Sequence, residues 1–351
     1  MKKVLIVDDS PVLQQLMAHI IAMDPALEVA GIVNNGEEAL EFVRKNKPDV
    51  ITMDIHMPKM DGYETTRRIM EEFPTPIVIV TSSVGVKEMV YTFRLLEAGA
   101  LAVIHRPPFF DNKNYKIEVH QLVETIKLMS EVKVVGRKNV FKRALILPQV
   151  QPVQKGTNRI ELIAIGASTG GPQVLQTLLS RLPHNLPVPV LIVQHIAKGF
   201  LEGFVDWMSG AILLKVQIGA QGEKLLPGHC YIAPDNCNMG VSKDLKIILD
   251  YNGSAGGHRP SVAHLFHSVA LAFGPRSAGV LLSGMGKDGA MELKEMKDRG
   301  ALTIIQDEAS CIVFGMPGEA KKLGAETYAL PPEQIADSLS ALFNKVNGGG
   351  K

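Results

Sequence analysis

The stretch Leu162-Ile163-Ala164-Ile165-Gly166-Ala167-Ser168-Thr169-Gly170-Gly171-Pro172 reads as an apolar strand, a turn made only of small residues, and a helix start with proline in its first turn. Further apolar runs of strand length follow at Val188–Val193, Gly279–Leu282 and Leu302–Ile305, and helical spacing over Thr169–Leu182, Ser261–Phe273 and Met291–Arg299 is interleaved with them. Strands alternating with helices fold as a mostly parallel α/β sheet, because a parallel pair needs a long crossover and a helix is the common way to carry the chain back. Val216–Ile218, Cys230–Ala233 and Lys246–Leu249 are spaced differently and predict an antiparallel patch.

The same rhythm runs upstream. Val4–Val7, Val50–Met53, Ile77–Val80 and Leu101–Ile104 are strand candidates, and Glu37–Lys45 and Thr65–Glu72 carry helical spacing. Pro11–Met23 is a further helix, with Ser10 placed to cap it. The pattern predicts a doubly wound, mostly parallel sheet of about five strands.

A chain of 351 residues is long enough for two such domains. Residues 1–130 carry a net charge of −4, residues 131–157 a net of +5, and residues 158–351 balance. The middle piece is basic, contains Pro148 and Pro152, and lacks a period, which is linker chemistry. The expected organisation is a first domain over 1–125, a linker over 126–157, a larger α/β domain over 158–346 and a glycine-rich tail over 347–351.

Composition narrows the classes. With 46% apolar and 21% charged residues the chain is an ordinary globular one. No apolar run reaches the roughly 20 residues of a membrane span, and the opening Met1-Lys2-Lys3-Val4 meets Asp8 too soon for a secretory signal. The three cysteines include no C-x-x-C pair, so neither a disulfide framework nor a zinc site is expected, and the cytoplasm is the expected compartment. The second domain is charge-neutral with no basic helix-turn-helix stretch, which disfavours a nucleic-acid partner.

Ligands of open parallel sheets sit beyond the carboxyl ends of the strands. At that edge of the first domain stand Asp8, Asp9, Asp54, Thr81 and Arg106. Three carboxylates together call for a divalent cation, and a hydroxyl and a cation beside them suit capture of a phosphoryl group on a carboxylate. At the same edge of the second domain stand Ser168, His195 and Asp288. Gly166-Ala167-Ser168-Thr169-Gly170 matches G-x-S-x-G, the elbow that lifts a serine above a sheet, and a histidine and an aspartate at neighbouring strand ends complete the residue types of a hydrolytic triad. Two other readings stand beside this one. One pairs Ser168 with Asp235 or Asp250 and with His258, His264 or His267; the other makes the glycine turn a nucleotide grip.

Residues 1 to about 125 resemble a response-regulator receiver domain, on Val7-Asp8-Asp9-Ser10, Met53-Asp54-Ile55-His56-Met57-Pro58-Lys59-Met60-Asp61-Gly62, Thr81 and Arg106-Pro107. The resemblance implies that Asp54 accepts a phosphoryl group from a histidine kinase, with Mg²⁺ held by Asp9, Asp54 and the backbone carbonyl of His56, and by Asp8 through water. Thr81 and Arg106 would form the switch. The family normally has lysine at position 106, and the guanidinium is a planar fork rather than a point charge, so this is not a neutral swap.

Residues 159 to about 346 resemble the catalytic domain of the CheB protein-glutamate methylesterases. The matching stretches are Ala164–Pro172, Val193-Gln194-His195, Arg259-Pro260-Ser261-Val262 and Gly284-Met285-Gly286-Lys287-Asp288-Gly289-Ala290; His264 stands where members often have an acid. The resemblance implies Ser168 as nucleophile, His195 as base and Asp288 as its orienting acid, with an oxyanion hole from backbone amides near Met285 and at Thr169. It implies methyl-accepting chemoreceptors as substrate, hydrolysis of their glutamate γ-methyl esters with release of methanol, and deamidation of selected glutamines by the same route. No cofactor is expected for that chemistry, no nucleic-acid partner and no direct membrane insertion. The rival expectation is a receiver followed by a binding or DNA-binding output module. The receiver is further expected to pack over the Ser168 edge until Asp54 is phosphorylated.

Overall fold

The computed structural model describes residues 1–81, 86–108, 115–134, 159–252 and 259–343. Most of the expected linker (135–157), the tail at 347–351 and His258 lie outside the described residues. The chain divides into two compact units, Met1–Pro148 and Gln149–Lys351.

In the first unit the strands are β1 (Lys2–Val7), β2 (Leu27–Val33), β3 (Val50–Met53), β4 (Ile77–Thr81) and β5 (Ala102–His105). The helices are α1 (Pro11–Ala22), α2 (Gly36–Asn46), α3 (Gly62–Glu72), α4 (Val86–Ala98) and α5 (Tyr115–Met129). The strands form one parallel sheet in the order β2-β1-β3-β4-β5. Val50–Met53 and Ile77–Thr81 are buried throughout, as strands covered on both faces must be. The strand order reverses between β1 and β3, and that switch point opens a crevice at the carboxyl edge. One expectation needs correction. Ser10 occupies the N-cap position of α1 but makes no side-chain cap bond; instead its amide donates to Asp8 Oδ1 at 2.9 Å. The N3 amide that a capping hydroxyl would take, that of Leu13, donates instead to Ser10's own carbonyl at 3.0 Å.

In the second unit β6 (Leu162–Ala167) is followed by α6 (Gly171–Ser180), β7 (Val190–Gln194), α7 (Leu201–Ala211), β8 (Lys215–Ile218) and β9 (His229–Ile232). Then come β10 (Asn238–Val241), β11 (Ile247–Asp250), α8 (Val262–Ala272), β12 (Ser277–Leu281), α9 (Ala290–Asp298), β13 (Leu302–Gln306), α10 (Met316–Lys322), β14 (Tyr328–Leu330) and α11 (Pro332–Phe343). Seven strands form a parallel sheet in the order β14-β13-β12-β6-β7-β9-β8. Every residue of β6 is buried, and Val262, Leu265, Phe266 and Val269 of α8 pack into the core beside it.

The antiparallel patch is smaller than expected. Among the described strands β10 and β11 alone pair antiparallel, with one further antiparallel bridge between Lys224 and Lys246, whereas Lys215–Ile218 and His229–Ile232 extend the main sheet in parallel. The connection from β8 to β9, Gly219–Gly228, crosses back without a helix, so helix spacing could not mark it as a parallel crossover. From β6 the chain first builds outward through β7, then returns to add β12 on β6's other side. The switch point of this sheet therefore lies between β6 and β12.

Candidate active site

Ser168 is the first residue past β6, His195 the first past β7, and Asp288 follows β12 through the loop Leu282–Lys287. Three adjacent strands thus deliver the three side chains to one edge. The register pairs Ala167 with Gln194, and the His195 amide donates to the Ala167 carbonyl at 2.9 Å, which sets His195 beside the serine turn. Across β12 the Ser168 amide donates to the Ser283 carbonyl at 3.0 Å. Gly284 lies so close that a Cβ there would come within 2.7 Å of the Ser168 Cβ. Gly170 completes the turn at φ +78°, a left-handed conformation that glycine adopts without strain, before α6 begins.

His195 Nε2 and Asp288 Oδ2 are 2.9 Å apart, with the side chains only 11% and 13% exposed. Asp288 is held from a second direction by the start of α8. Ser261 Oγ and the Ala263 amide each donate to Oδ1 at 3.0 Å, and the Val262 amide donates to Oδ2 at 2.8 Å. Burial alone would push this carboxyl up, but the bonds from His195 and the two amides more than offset it and hold it below the usual aspartate value. A helix N-terminus is a natural seat for an anion. Asp288 is therefore fixed as a carboxylate against the imidazole.

The Ser168 amide itself is engaged by the Ser283 carbonyl and is not available to a developing oxyanion. Met285 is 41% exposed at the rim of the same loop. Among the described residues the alternative candidates are engaged elsewhere: Asp235 Oδ2 accepts the Gly199 amide, Asp250 Oδ1 accepts the Asn252 amide, and His267 Nδ1 pairs with Glu295 at 2.7 Å. His264 is half-buried in α8, and that burial holds its imidazole below the usual histidine value. Sequence reasoning missed Ser261 as a partner of Asp288; it stood as a helix start and within a family-matching stretch, with no role of its own. It also missed Gln194, whose side-chain Nε2 donates to the carbonyls of Ser168 and His195.

In the first unit Asp8 is buried, Asp9 exposed and Asp54 partly buried. Burial pushes the Asp8 carboxyl up to about 6, aided by the charges of Asp54 and Asp9. Asp54 is raised as well, chiefly by burial and against the pull of Arg106. Arg106 follows β5 and places its guanidinium 3.2 Å from Asp54 Oδ1, while its amide donates to the Thr81 carbonyl at 2.8 Å. The His56 amide donates to Asp54 Oδ2 at 3.2 Å. Gly62 lies against the Asp54 carbonyl, where a Cβ would come within 2.5 Å. Among the described residues no three carboxylate, histidine or cysteine side chains stand as a ready-made metal cluster. The chemistry of the pocket still fits a hard divalent cation. Its donors are all oxygen, and one guanidinium does not neutralise three neighbouring carboxylates.

The class defined by this fold and site is a response regulator whose output domain is an α/β hydrolytic enzyme. Comparison with known proteins agrees. A model of the CheB methylesterase family matches residues 163–339, and one of the response regulator receiver domain matches residues 4–113. A protein-glutamate methylesterase/protein-glutamine glutaminase 1 of Syntrophus aciditrophicus is 50% identical over 99% of both chains. A protein of the same name, numbered 4, from Geobacter metallireducens is 47% identical over 97% of this chain and 99% of its own. The crystal structure of the Thermotoga maritima CheB methylesterase catalytic domain is 33% identical, with a TM-score of 0.50, and covers 52% of this chain and 98% of that one. The chain belongs to the CheB methylesterase family. Among the described residues no helix is long and apolar enough to cross a membrane.

Proposed function

We propose that this protein is a phosphorylation-regulated protein-glutamate methylesterase that hydrolyses glutamate γ-methyl esters on methyl-accepting chemoreceptors, releases methanol, and deamidates receptor glutamines by the same route. The observation that carries the reading is the 2.9 Å bond between His195 Nε2 and Asp288 Oδ2 on the strand ends that flank Ser168. Ser168 Oγ attacks the ester carbonyl and His195 takes its proton. With Nε2 donating to Asp288, the basic atom of the ring is Nδ1, the reverse of the usage in the chymotrypsin-type triad. The Thr169 and Met285 amides stabilise the tetrahedral oxyanion, each worth about 10²–10³ in rate. His195 then protonates the departing methoxide, and water, activated by the same base, hydrolyses the acyl-enzyme.

The proposed domain limits are a receiver over 1–125, a linker over 126–157, the catalytic domain over 158–346 and a tail over 347–351. In the receiver, Asp54 accepts the phosphoryl group from a chemotaxis-type histidine kinase. Asp9, Asp54 and the His56 carbonyl would hold Mg²⁺, with Asp8 acting through water, and the ion would neutralise the incoming phosphoryl oxygens. Arg106 and Thr81 pair with the phosphoryl group and carry the switch. This chemistry belongs on the cytoplasmic side, where a kinase and the receptors' methylated regions meet it.

The test is methanol release from methyl-esterified receptor by wild type and Ser168→Ala, with and without acetyl phosphate. Loss of release in Ser168→Ala together with stimulation of wild type supports both parts. Release that survives Ser168→Ala overturns the serine mechanism.

A further inference from the structure

We propose that Gln194 is a positioning residue that locks the nucleophile turn and the base to each other; the proposal rests on the Ser168–His195–Asp288 reading above. Gln194 ends β7, and only 3% of it is exposed. Its side-chain Nε2 donates to the Ser168 carbonyl at 2.9 Å and to the His195 carbonyl at 2.8 Å. One NH₂ group thus bridges the backbones of the two residues that exchange a proton. The His195 amide is already tied to Ala167, so the two segments are joined on both sides of the reacting pair.

The amide orientation follows from its partners. Two carbonyl oxygens require a donor with two hydrogens, and turning the group over would set Oε1 against both. The fold accepts a penalty for this arrangement, since Gln194 Oε1 is buried without a hydrogen-bond partner. It also leaves room for the group. A Cβ on Gly171 would fall 2.1 Å from Gln194 Oε1, so the first residue of α6 has to be glycine while the amide stands there. A buried orphan acceptor is an unusual feature to keep, and the two carbonyl bonds explain why it is kept.

Gln194 touches neither ester nor oxyanion, so its loss acts on the proton-transfer geometry between Ser168 and His195 and leaves receptor binding alone. Displacements of about 1 Å in such geometry cost on the order of 10²-fold in rate. Three full-length variants test this: Gln194→Met, which fills the space without a donor, Gln194→Glu, and Ser168→Ala. Each is assayed for kcat and KM on methyl-esterified receptor and for the rate of covalent labelling by a fluorophosphonate probe. Gln194→Met is expected to lower kcat and labelling together by about 10- to 100-fold with KM within about twofold of wild type. In Gln194→Glu, burial favours the protonated acid, whose single O–H restores one of the two bonds. Its labelling rate relative to wild type is therefore expected to exceed that of Gln194→Met and to rise as pH falls from about 8 to 6. Wild-type kcat and labelling in Gln194→Met overturn the proposal and leave the triad reading standing. Should Gln194→Met fail to fold, a pH-independent ratio in Gln194→Glu overturns it instead. Labelling that persists in Ser168→Ala removes the triad reading, and this proposal with it.

Discussion

Ser261 serves Asp288 and its own helix at once: its hydroxyl donates to Asp288 Oδ1 at 3.0 Å and accepts the amide of His264 at 3.3 Å. Ser261→Ala removes an N-cap and a bond to a carboxylate together. The expected cost is about 1–2 kcal/mol of stability in the catalytic domain. kcat should fall severalfold while KM holds, because the imidazole's anchor is loosened. Urea unfolding and methanol-release kinetics on the same preparation measure both.

Asp288→Asn keeps the shape and loses the charge. By analogy with other triads, kcat should drop by about 10⁴. Stability gives an independent check. The Asp288 carboxyl is depressed in the folded state, so its contribution is present above the unfolded value near 3.8 and is lost as pH falls through the lower folded value. Wild type should therefore be more stable than Asp288→Asn at pH 7, and the gap should close as pH falls below 3.8 and through the lower folded value.

Gly284→Ala is expected to harm activity more than folding. The added methyl would meet Met316 Sδ at 2.4 Å, a flexible side chain that can yield, and the Ser168 Cβ at 2.7 Å, which cannot move without displacing the proposed nucleophile. Overpacking of this kind costs about 1–3 kcal/mol. Thermal melts should show that loss, and fluorophosphonate labelling of Ser168 should fall by at least about 10-fold, beyond what the melt explains.

Asp54→Asn should leave basal methanol release intact and abolish its stimulation by acetyl phosphate. Arg106→Met, which leaves the carboxylates of Asp8 and Asp54 without their guanidinium, should destabilise the protein at pH 7. Adding Mg²⁺ should recover part of that loss, seen as a rise in Tm that wild type shows to a lesser degree. An equal rise in both would assign no counter-ion role to Arg106.

The buried strands and the residues at their carboxyl ends were legible because apolar runs and the polar residues closing them are local patterns. Asp8, Asp54, Thr81 and Arg106, and Ser168 and His195, lie at the strand ends where the reading put them, and Asp288 lies past the loop that leaves β12. Pairing direction was not legible: nothing in Val216–Ile218 or Cys230–Ala233 says that the two lie side by side in parallel. Nor were the supports of the site. Asp288 and Ser261 are 27 residues apart, and a serine before an apolar helix looks the same whether it only caps or also holds a carboxylate. Gln194 was quoted only as the residue before His195. Its polar side chain ending a fully buried strand was the one available hint.

The 93 residues separating His195 from Asp288 have a consequence for how the protein is made. A chain emerging from the ribosome presents Ser168 and His195 on β6 and β7 well before β12 exists to dock on the other flank of β6. Until that long-range pairing closes, the imidazole lacks its carboxylate and the loop carrying Met285 is not beside the serine. On the proposed triad, hydrolytic competence is thus among the last properties the nascent chain acquires, and a truncated translation product ending before β12 would carry a serine without the means to use it.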